Sequence, residues 1–300
     1  MITVRLQGGM GNQMFQYAFA RSLSIRKGTD FQMDLRYLLD RSPRKKFVFR
    51  GYDLDIFNVQ ESFFKQGEKL LPYQVQTEVI AIKALKKMPR YLKENILRHT
   101  YIEPYSHFDA LYTAVAKSCY CIGYFQSYKY FHHIHDLLLQ EFSLKPQFID
   151  HKSSELYKKI QDSNSVCINV RRTDFITNKA YEVVLEKYYE RALDILLQKQ
   201  ANLNLFVFSD DIEWCYSNLK FNLPTVYVSD EHAGERFSNK FNLMVSCKHF
   251  IIPNSTYAWW AAYLSSNANK SIIAPTNWIT NKEVNELYVN DLLPESWIKI

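Results

Sequence analysis

Two adjacent arginines stand at the end of an apolar run in the middle of the chain. Arg171 and Arg172 follow the run Ser-Val-Cys-Ile-Asn-Val at 165–170. β-Branched residues alternate there with other residues, which predicts a buried strand with its charged residues at the carboxyl end. Open α/β sheets bind their ligands at that end of the strands. The pair is therefore a candidate clamp for an anion.

The alternation of side chains along a strand limits what the two arginines can do. Successive residues point to opposite faces, so we expect at most one of the pair to contact a phosphate directly. The other would then hold Asp174 or the following loop. An ordinary ion pair at a strand end is the alternative interpretation, since such pairs contribute little and are common.

A second polar group follows the strand predicted at 203–208. Ser209, Asp210 and Asp211 come directly after that strand. One carboxylate is suited to capping the next helix, and the other to accepting paired hydrogen bonds from a guanine edge or to holding a divalent metal. We assign Asp210 to the cap and Asp211 to guanine, although these roles could be exchanged. Helix capping without any ligand is the alternative.

A third group opens a helix after the strand predicted at 248–252. Asn254, Ser255 and Thr256 follow Pro253, which breaks the strand. Such a helix start offers hydroxyls and backbone N–H groups that suit a phosphate. Plain helix capping is again the alternative.

Glycines separate the first predicted strand from the first predicted helix, which we expect to begin near Asn12. The turn at 8–11, called the glycine turn below, reads Gly-Gly-Met-Gly. Glycines let a ligand approach the backbone closely. The dinucleotide-binding fingerprint has a third glycine, and this chain has Met14 at that position. The fingerprint also has a later acidic residue that binds the ribose, for which Asp34 is only a weak candidate. A tight turn capped by Asn12 is the alternative.

The histidines and cysteines do not indicate a metal or redox site. His132, His133 and His135 fall in a predicted helix, on which they do not share one face. Cys119 and Cys121 lie on one face of a predicted strand and are interpreted as core thiols. The five cysteines are odd in number and lie mostly in apolar runs, which indicates reduced thiols in a cytosolic protein.

The elements that position these residues alternate between strands and helices. This alternation is typical of an α/β protein with parallel sheets covered by helices. Pro146 marks a possible linker, so we predict two domains, 1–147 and 148–300. The pattern predicts strands at 2–6, 31–35, 119–123, 165–171, 203–208, 224–228, 248–252 and 271–274, and helices at 12–27, 128–142, 186–199, 211–219, 235–247 and 256–266.

Composition and charge narrow the class of protein. The 300 residues are 47% hydrophobic and carry a net charge of +6, as expected for globular domains with full cores. We expect no signal peptide, no membrane anchor and a cytoplasmic location. Basic residues crowd the segment 65–98, which predicts either a peripheral contact with the inner face of a membrane or a solvated helix face. No nucleic-acid-binding module accompanies it, so we expect no nucleic-acid partner.

Taken together, the motifs resemble those of the bacterial α-1,2-fucosyltransferases. No motif of that family can be matched to the stretch 36–115. The shared stretches are Met-Ile-Thr-Val-Arg-Leu-Gln-Gly-Gly-Met-Gly-Asn-Gln-Met-Phe-Gln-Tyr-Ala at 1–18, Val-Arg-Arg-Thr-Asp at 170–174, Phe-Ser-Asp-Asp at 208–211, Ile-Pro-Asn-Ser-Thr-Tyr-Ala-Trp-Trp-Ala-Ala-Tyr-Leu at 252–264 and Leu-Pro-x-x-Trp-Ile at 293–298.

The resemblance implies a fold and an activity. It implies a GT-B-like α/β architecture, in which two Rossmann-like domains face a cleft. The domain 1–147 would lie on the acceptor side, and the domain 148–300 would bind the donor GDP-β-L-fucose. The implied reaction is an inverting transfer of L-fucose to the 2-hydroxyl of a terminal galactose in a surface or lipid-linked glycan, with no metal and no cofactor.

The resemblance also implies roles for individual residues. One arginine of the motif, Arg172 or Arg171, would clamp the β-phosphate of the donor, and the helix start at 254–256 would add hydrogen-bond donors. Asn12 would reach across the cleft to the same ligand. The family normally has histidine where this chain has Asn169, which can hydrogen-bond to the nucleotide but cannot carry a charge.

Inversion by direct displacement requires a base that removes the proton of the acceptor hydroxyl. Asp174 is the preferred candidate on its place in the motif, and Glu182 and Asp34 are less favoured. Asp174 could instead only orient Arg171. Two other classes of function stay open on the sequence: a metal-dependent glycosyltransferase with another sugar nucleotide, and a non-catalytic protein that binds nucleotides or glycans.

Overall fold

The structure is a computed structural model that describes residues 1–43, 48–65, 99–103, 108–172, 184 and 186–300. Its contacts divide the chain into two compact units. Unit 1 comprises Met1–Asp55 and Val59–Glu141, and unit 2 comprises Ile56–Asn58 and Phe142–Ile300. The short segment of unit 2 at 56–58 is joined by backbone hydrogen bonds to the residues just after Glu141. The N–H of Asn58 donates to the Ser143 carbonyl, and the N–H of Lys145 donates to the Ile56 carbonyl.

Unit 1 is built on a parallel sheet of four strands in the order β2-β1-β4-β3. The longest helix among the described residues of this unit, α1, is capped at its carboxyl end by Gly28, which adopts the left-handed conformation (φ 57°) that glycine tolerates best. The strands are β1 (Ile2–Arg5), β2 (Phe31–Asp34), β3 (Thr100–Ile102) and β4 (Cys119–Ile122), and the helices are α1 (Met10–Lys27), α2 (Arg36–Leu39) and α3 (His135–Glu141).

Unit 2 is built on a parallel sheet of six strands in the order β10-β9-β8-β5-β6-β7. The parallel sheets of both units confirm the predicted α/β class. The strands are β5 (Asn164–Val170), β6 (Leu203–Ser209), β7 (Thr225–Tyr227), β8 (His249–Ile251), β9 (Ile272–Ala274) and β10 (Ile298–Lys299); the helices are α4 (Ser154–Asp162), α5 (Glu186–Leu197), α6 (Ile212–Asn218), α7 (Ser238–Val245), α8 (Thr256–Leu264) and α9 (Lys282–Leu292).

The register of this sheet decides which predicted site residues become neighbours. Val170 of β5 pairs with Ser209 of β6, so the residues that follow these two strands leave the sheet side by side. On the other side of β5, Ile168 pairs with Ile251 of β8. The carboxyl ends of the three strands therefore lie at one edge, with β5 in the middle.

Helix α8 is apolar around its whole circumference and is buried as a core element, as expected for a helix without a polar face. The rings of Trp259 and Tyr263 stack with their centroids 4.6 Å apart. The indole N–H of Trp259 donates to the Leu292 carbonyl at 3.0 Å, which joins α8 to the end of α9. This packing fixes the start of α8 at the edge of the sheet.

The structure corrects several predicted elements. The helix predicted at 128–142 is instead two 3-10 turns, Tyr128–Tyr130 and His132–Ile134, followed by α3, because Phe131 between them has a non-helical backbone. The helix predicted at 235–247 begins only at Ser238, after left-handed Arg236 and Phe237. Helices α2, α4 and α9 and strands β3 and β10 were not predicted.

Within the described residues, none of the helices combines the length and the apolar character that crossing a membrane requires.

Candidate functional site

Four charged residues meet where β5 and β6 end, and we call them the charged cluster: Arg171, Arg172, Asp210 and Asp211. A terminal nitrogen of Arg171 (Nη1) lies 3.1 Å from Asp210 Oδ2, and Arg172 Nε lies 3.3 Å from Asp211 Oδ2. The backbone N–H of Arg172 donates to Asp210 Oδ1 at 3.0 Å. The in-register pairing of the two strands brings these residues together, and each arginine is held by its own carboxylate.

Arg172 is fixed more firmly than an ordinary surface arginine. Its guanidinium carbon lies 3.5 Å from the centroid of the ring of Trp214, the third residue of α6. A cation over an indole face is stabilised by about 0.5 to 2 kcal/mol. In the described part of the chain, no other residue bonds to the two terminal nitrogens of Arg172. Its Nε is engaged by Asp211 and its guanidinium lies over the Trp214 ring.

The predicted cap assignment is wrong, because Asp211 rather than Asp210 caps α6. The helix begins at Ile212, and Asp211 Oδ1 accepts the backbone N–H of Trp214 at 3.3 Å. Ser209 supports this turn, since its hydroxyl oxygen accepts the N–H of Asp211 at 2.9 Å. The helix was predicted to begin at residue 211 and begins at Ile212, and this shift of one residue moves the cap from Asp210 to Asp211.

Neither aspartate has an oxygen that is unused by the protein. Each carboxylate accepts one bond from an arginine side chain and one from a backbone N–H. Among the residues that the structure describes, no group of three or more histidine, cysteine or acidic residues is placed to hold a metal ion. The geometry therefore favours a role in positioning the arginines.

Asn169 occupies a buried place just before the charged cluster. Its side-chain amide donates to the Phe208 carbonyl at 3.4 Å and to the Met244 sulfur at 3.8 Å. Lys240 is also buried, one turn before Met244 on α7, and its ammonium group donates to the Ser209 carbonyl at 3.4 Å and to Asp230. Helix α7 thus covers the end of β6 and brings a buried cation there.

The third predicted group lies at the start of α8. Ser255 is the N-cap residue but makes no side-chain cap hydrogen bond, and Thr256 is the first residue of the helix. Asn254 is buried and its amide donates to the Trp278 carbonyl at 3.0 Å. Tyr257 lies close enough to Arg171 for the arginine charge to affect its hydroxyl, although burial dominates and raises the pKa of Tyr257.

The glycine turn overlaps the start of α1, which begins at Met10 rather than at Asn12. Gly9 is the N-cap residue, so the alternative that Asn12 caps the helix is wrong. Asn12 Oδ1 instead accepts a hydrogen bond of 2.7 Å from the side chain of Gln126, which follows β4. Gly8 has φ 80°, and a Cβ there would lie 2.4 Å from Asn12 Nδ2, so the turn needs glycine at this position.

Asp34 is committed to a structural ion pair at the end of β2. Arg36 donates to both of its oxygens through Nε and Nη2, and the Tyr120 hydroxyl donates to Oδ2 at 2.8 Å. Burial alone would raise the pKa of Asp34, but these hydrogen bonds outweigh it and hold the pKa below its ordinary value. Because both oxygens of Asp34 accept hydrogen bonds from the protein, the structure does not favour Asp34 as the partner of a ribose or as the general base.

Three predicted features lie outside the described residues: Asp174, Glu182 and the segment 66–98, which is all but the first residue of the basic segment. Sequence reasoning also missed four residues that the structure brings to the sheet edges, namely Trp214, Lys240, Gln126 and Glu103. The one available signal was a lysine in an apolar helix, at Lys240; Glu103 gave none, because the strand before it was not predicted. Trp214 and Gln126 gave no signal of their own.

The sequence is similar over its whole length to a known protein family and to individual proteins. The family described as Glycosyl transferase family 11 matches residues 1–300. An alpha-1,2-colitosyltransferase of Escherichia coli is 30% identical over 306 aligned residues, which cover 100% of this chain and 99% of the relative. The O-antigen biosynthesis glycosyltransferase WbnK of Escherichia coli is 29% identical, with coverage of 98% and 99%.

Among solved structures, a mutant of Arabidopsis thaliana FUT1 in complex with GDP has a similar fold. The TM-score is 0.51 at 13% identity, and the likeness covers 90% of this chain and 69% of that chain. At this identity the likeness establishes the GT-B fold alone.

Proposed function

The chain belongs to glycosyl transferase family 11, and from that premise we propose that it transfers L-fucose from GDP-β-L-fucose to the 2-hydroxyl of a terminal galactose. The product would be an α-1,2 linkage in a surface glycan, formed with inversion and without a metal. Two relatives that match nearly end to end support this proposal, because their names specify an α-1,2 linkage in one case and O-antigen synthesis in the other.

The observation that carries the proposal is the way in which Arg172 is held. Breaking the bond between the sugar and the diphosphate builds negative charge on the departing phosphate, while the sugar becomes cation-like. A fixed cation that meets this charge lowers the barrier without reorganising during the reaction. Asp211 and Trp214 fix the orientation of Arg172, and its terminal nitrogens have no other partner among the described residues. We assign the β-phosphate to these nitrogens.

Neighbouring groups would complete the donor site. Arg171, braced by Asp210, adds positive charge beside the diphosphate. Ser255 and Thr256 at the start of α8 add hydroxyls and backbone N–H groups, a combination that suits an anion. Asp210 and Asp211 act by orienting the two arginines, and Asn169 lines the base of the site.

Acceptor binding is assigned to unit 1, the N-terminal domain that the resemblance places on the acceptor side. A galactose-terminated or lipid-linked glycan is the expected acceptor, and a cytoplasmic enzyme at the inner face of the membrane is the expected setting. The basic segment 65–98 would provide that membrane contact.

A second donor is favoured by one observation. The relative that covers the whole chain at 30% identity is an alpha-1,2-colitosyltransferase. Colitose differs from L-fucose by the absence of the 3-hydroxyl, so a site that accepts either sugar differs only in contacts to that group. GDP-colitose should therefore be assayed beside GDP-fucose.

The test measures GDP release from GDP-fucose with a panel of galactose-terminated acceptors, with and without excess EDTA. We expect turnover that EDTA does not reduce. Arg172→Ala should lower kcat about 100-fold to 1,000-fold, because it removes a preorganised donor to developing charge. The matched control is Arg191→Ala, which removes an exposed arginine of α5 and should leave kcat unchanged.

Each contrary result points to one part of the proposal. Turnover abolished by EDTA indicates the metal-dependent class, and binding of GDP-fucose without GDP release indicates a non-catalytic protein. Turnover with another sugar nucleotide but not with GDP-fucose refutes the donor assignment. Full turnover by Arg172→Ala refutes the phosphate clamp.

A further inference from the structure

Lys240 of α7 is a buried lysine at the carboxyl end of β6, in the same unit as the charged cluster. Its ammonium group donates to the Ser209 carbonyl at 3.4 Å and to the Asp230 carboxylate. Ser209 is the last residue of β6 and directly precedes Asp210. The ammonium group therefore lies at the edge of the sheet from which the charged cluster projects.

The hydrogen bonds of Lys240 leave one donor over. An ammonium group has three N–H donors and no acceptor. Among the described residues, the acceptors of Lys240 are two, the Ser209 carbonyl and one oxygen of Asp230. Because a buried donor without an acceptor is costly, the third N–H favours the binding of a group with acceptor atoms.

The charge of Lys240 lies close to solvent although its carbon chain is buried. The side chain of Lys240 is 7% exposed, whereas that of Asp230, which contacts the ammonium group, is 80% exposed. Lysines commonly bury their carbon chain and keep the charged end at the surface. The ammonium group is thus within reach of a ligand bound at this edge.

The backbone before α7 fixes the position of this lysine. Gly234, Arg236 and Phe237 have positive φ angles of 68°, 52° and 61°. The turn is closed by the backbone N–H of Lys240, which donates to the Ala233 carbonyl at 3.2 Å. Left-handed residues with side chains are rare, persist where the surrounding structure maintains them, and cluster at functional sites. The start of α7 is therefore set by a strained turn.

The order of the strands separates Lys240 from the groups assigned to the diphosphate. The sheet runs β8-β5-β6-β7, with the start of α8 after β8 and the two arginines after β5. Lys240 instead contacts the end of β6, and Asp230 comes after β7. A diphosphate held by the arginines and the start of α8 would leave its nucleoside on the side of β6 and β7, where Lys240 lies.

The chemistry of an ammonium group selects among nucleobases. Guanine presents two acceptors, O6 and N7, on one edge, and lysine is one of the side chains that bind this edge. Adenine carries an amino donor in place of O6, so the ammonium group would face another donor. Asp211, which was expected to bind guanine, is already held by Arg172 and by the cap of α6.

We propose that Lys240 determines the nucleotide specificity of the enzyme by donating its third N–H to O6 of guanine, with N7 beside it. This inference rests on the proposed function, because it names the residue that recognises the nucleobase of the GDP-linked donor. Lys240 contacts a part of the donor that does not react, so its contribution is to binding rather than to the chemical step.

The test compares the binding of inosine diphosphate and ADP to the wild type and to Lys240→Met by calorimetry. Both nucleotides lack the 2-amino group of guanine, and inosine has an oxygen at position 6 where adenine has an amino group. We expect the wild type to bind inosine diphosphate about 5-fold to 150-fold more tightly than ADP. Lys240→Met should bind the two within about twofold. Lys282→Met, which replaces an exposed lysine of α9, is the matched control and should keep the wild-type preference.

The outcomes separate the two proposals. If the wild type transfers neither fucose nor colitose to any acceptor, the proposed function fails, while a preference for inosine diphosphate that depends on Lys240 still supports the nucleobase assignment. If the wild type transfers fucose but Lys240→Met keeps the preference, only the nucleobase assignment is overturned.

Two further results bear on the assignment alone. An equal loss of affinity for both nucleotides in Lys240→Met overturns it, because a contact with the diphosphate or a purely structural ion pair would affect both alike. If the variant does not fold, the wild type decides, since equal binding of inosine diphosphate and ADP refutes the assignment and a preference of about 5-fold or more for inosine diphosphate supports it.

Discussion

Replacing Gly8 by alanine should damage the glycine turn in two separable ways. Gly8 has φ 80°, so alanine must adopt a conformation that disfavours any side chain. The new Cβ would also lie 2.4 Å from Asn12 Nδ2, which is too close for the present rotamer. Asn12 would have to turn away and release the hydrogen bond of 2.7 Å from Gln126.

The size of the effect follows from these two costs. A left-handed alanine costs about 1 to 2 kcal/mol, and the loss of one hydrogen bond costs about 1 kcal/mol. We expect Gly8→Ala to lower the free energy of unfolding by about 2 to 3 kcal/mol. Asn12→Ala alone should cost about 1 kcal/mol. Because the same hydrogen bond is lost only once, the double variant should be less destabilised than the sum by about 1 kcal/mol.

The free energy of unfolding of each variant is measured by urea titration, and two other glycines serve as controls. Gly28 is left-handed (φ 57°) but has open space around it, so Gly28→Ala should show the conformational cost of about 1 to 2 kcal/mol without the clash. Gly51 has neither feature, and Gly51→Ala should change stability by less than about 0.5 kcal/mol. Equal losses for Gly8→Ala and Gly28→Ala, together with an additive double variant, would show that the contact with Asn12 does not matter.

Two further predictions concern the charged cluster and the Asp34 ion pair. Trp214→Leu removes the ring under Arg172, and the loss of about 0.5 to 2 kcal/mol should weaken GDP binding several-fold in calorimetry; an unchanged Kd would contradict this. The pKa of Asp34 lies below its ordinary value. The ionised carboxylate should therefore stabilise the folded protein fully at pH values above the ordinary pKa, and this stabilisation should be lost as the pH falls through the lowered pKa. Asp34→Asn should therefore cost about 1 to 3 kcal/mol at pH 7, and the difference from the wild type should shrink below about pH 4 in urea titrations; a difference that does not depend on pH would argue against the ion pair.

The sequence was sufficient to predict five of the six strands of unit 2, β5 to β9, because each lies in a short apolar run, whereas the two-residue strand β10 was not predicted. The predicted run at 165–171 and the observed β5, Asn164–Val170, differ by one residue at each end. Parallel pairing then requires Arg171, Asp211 and Ser255 to share one edge, which follows from topology without knowledge of any side-chain contact.

Features that depend on single residues or on distant segments were not predictable in the same way. Propensity does not distinguish Asp210 from Asp211 as a cap, because both are good capping residues and only the local backbone decides. Glu103 lies after a strand of three residues in a stretch without motifs, and its partners, Tyr124 and Phe125, lie in the loop that follows β4. The contact with Phe125 depends on the left-handed backbone of that residue, which no pattern of residue types indicates.

The pairing of each arginine with its own aspartate has a consequence for the diphosphate site that we propose at the charged cluster. An arginine whose charge is partly offset by a carboxylate attracts an anion less strongly than an isolated one, so the proposed site would give up some affinity for the donor and for GDP. In return, both guanidinium groups are oriented before the ligand arrives, and no reorganisation accompanies the growth of charge on the departing phosphate. Interactions that gain strength as charge develops accelerate the reaction, whereas uniform attraction only tightens binding. Because Asp210 and Asp211 each also bind a backbone N–H, the orientation of the arginines is coupled to the ends of β5 and α6 rather than to flexible side chains alone.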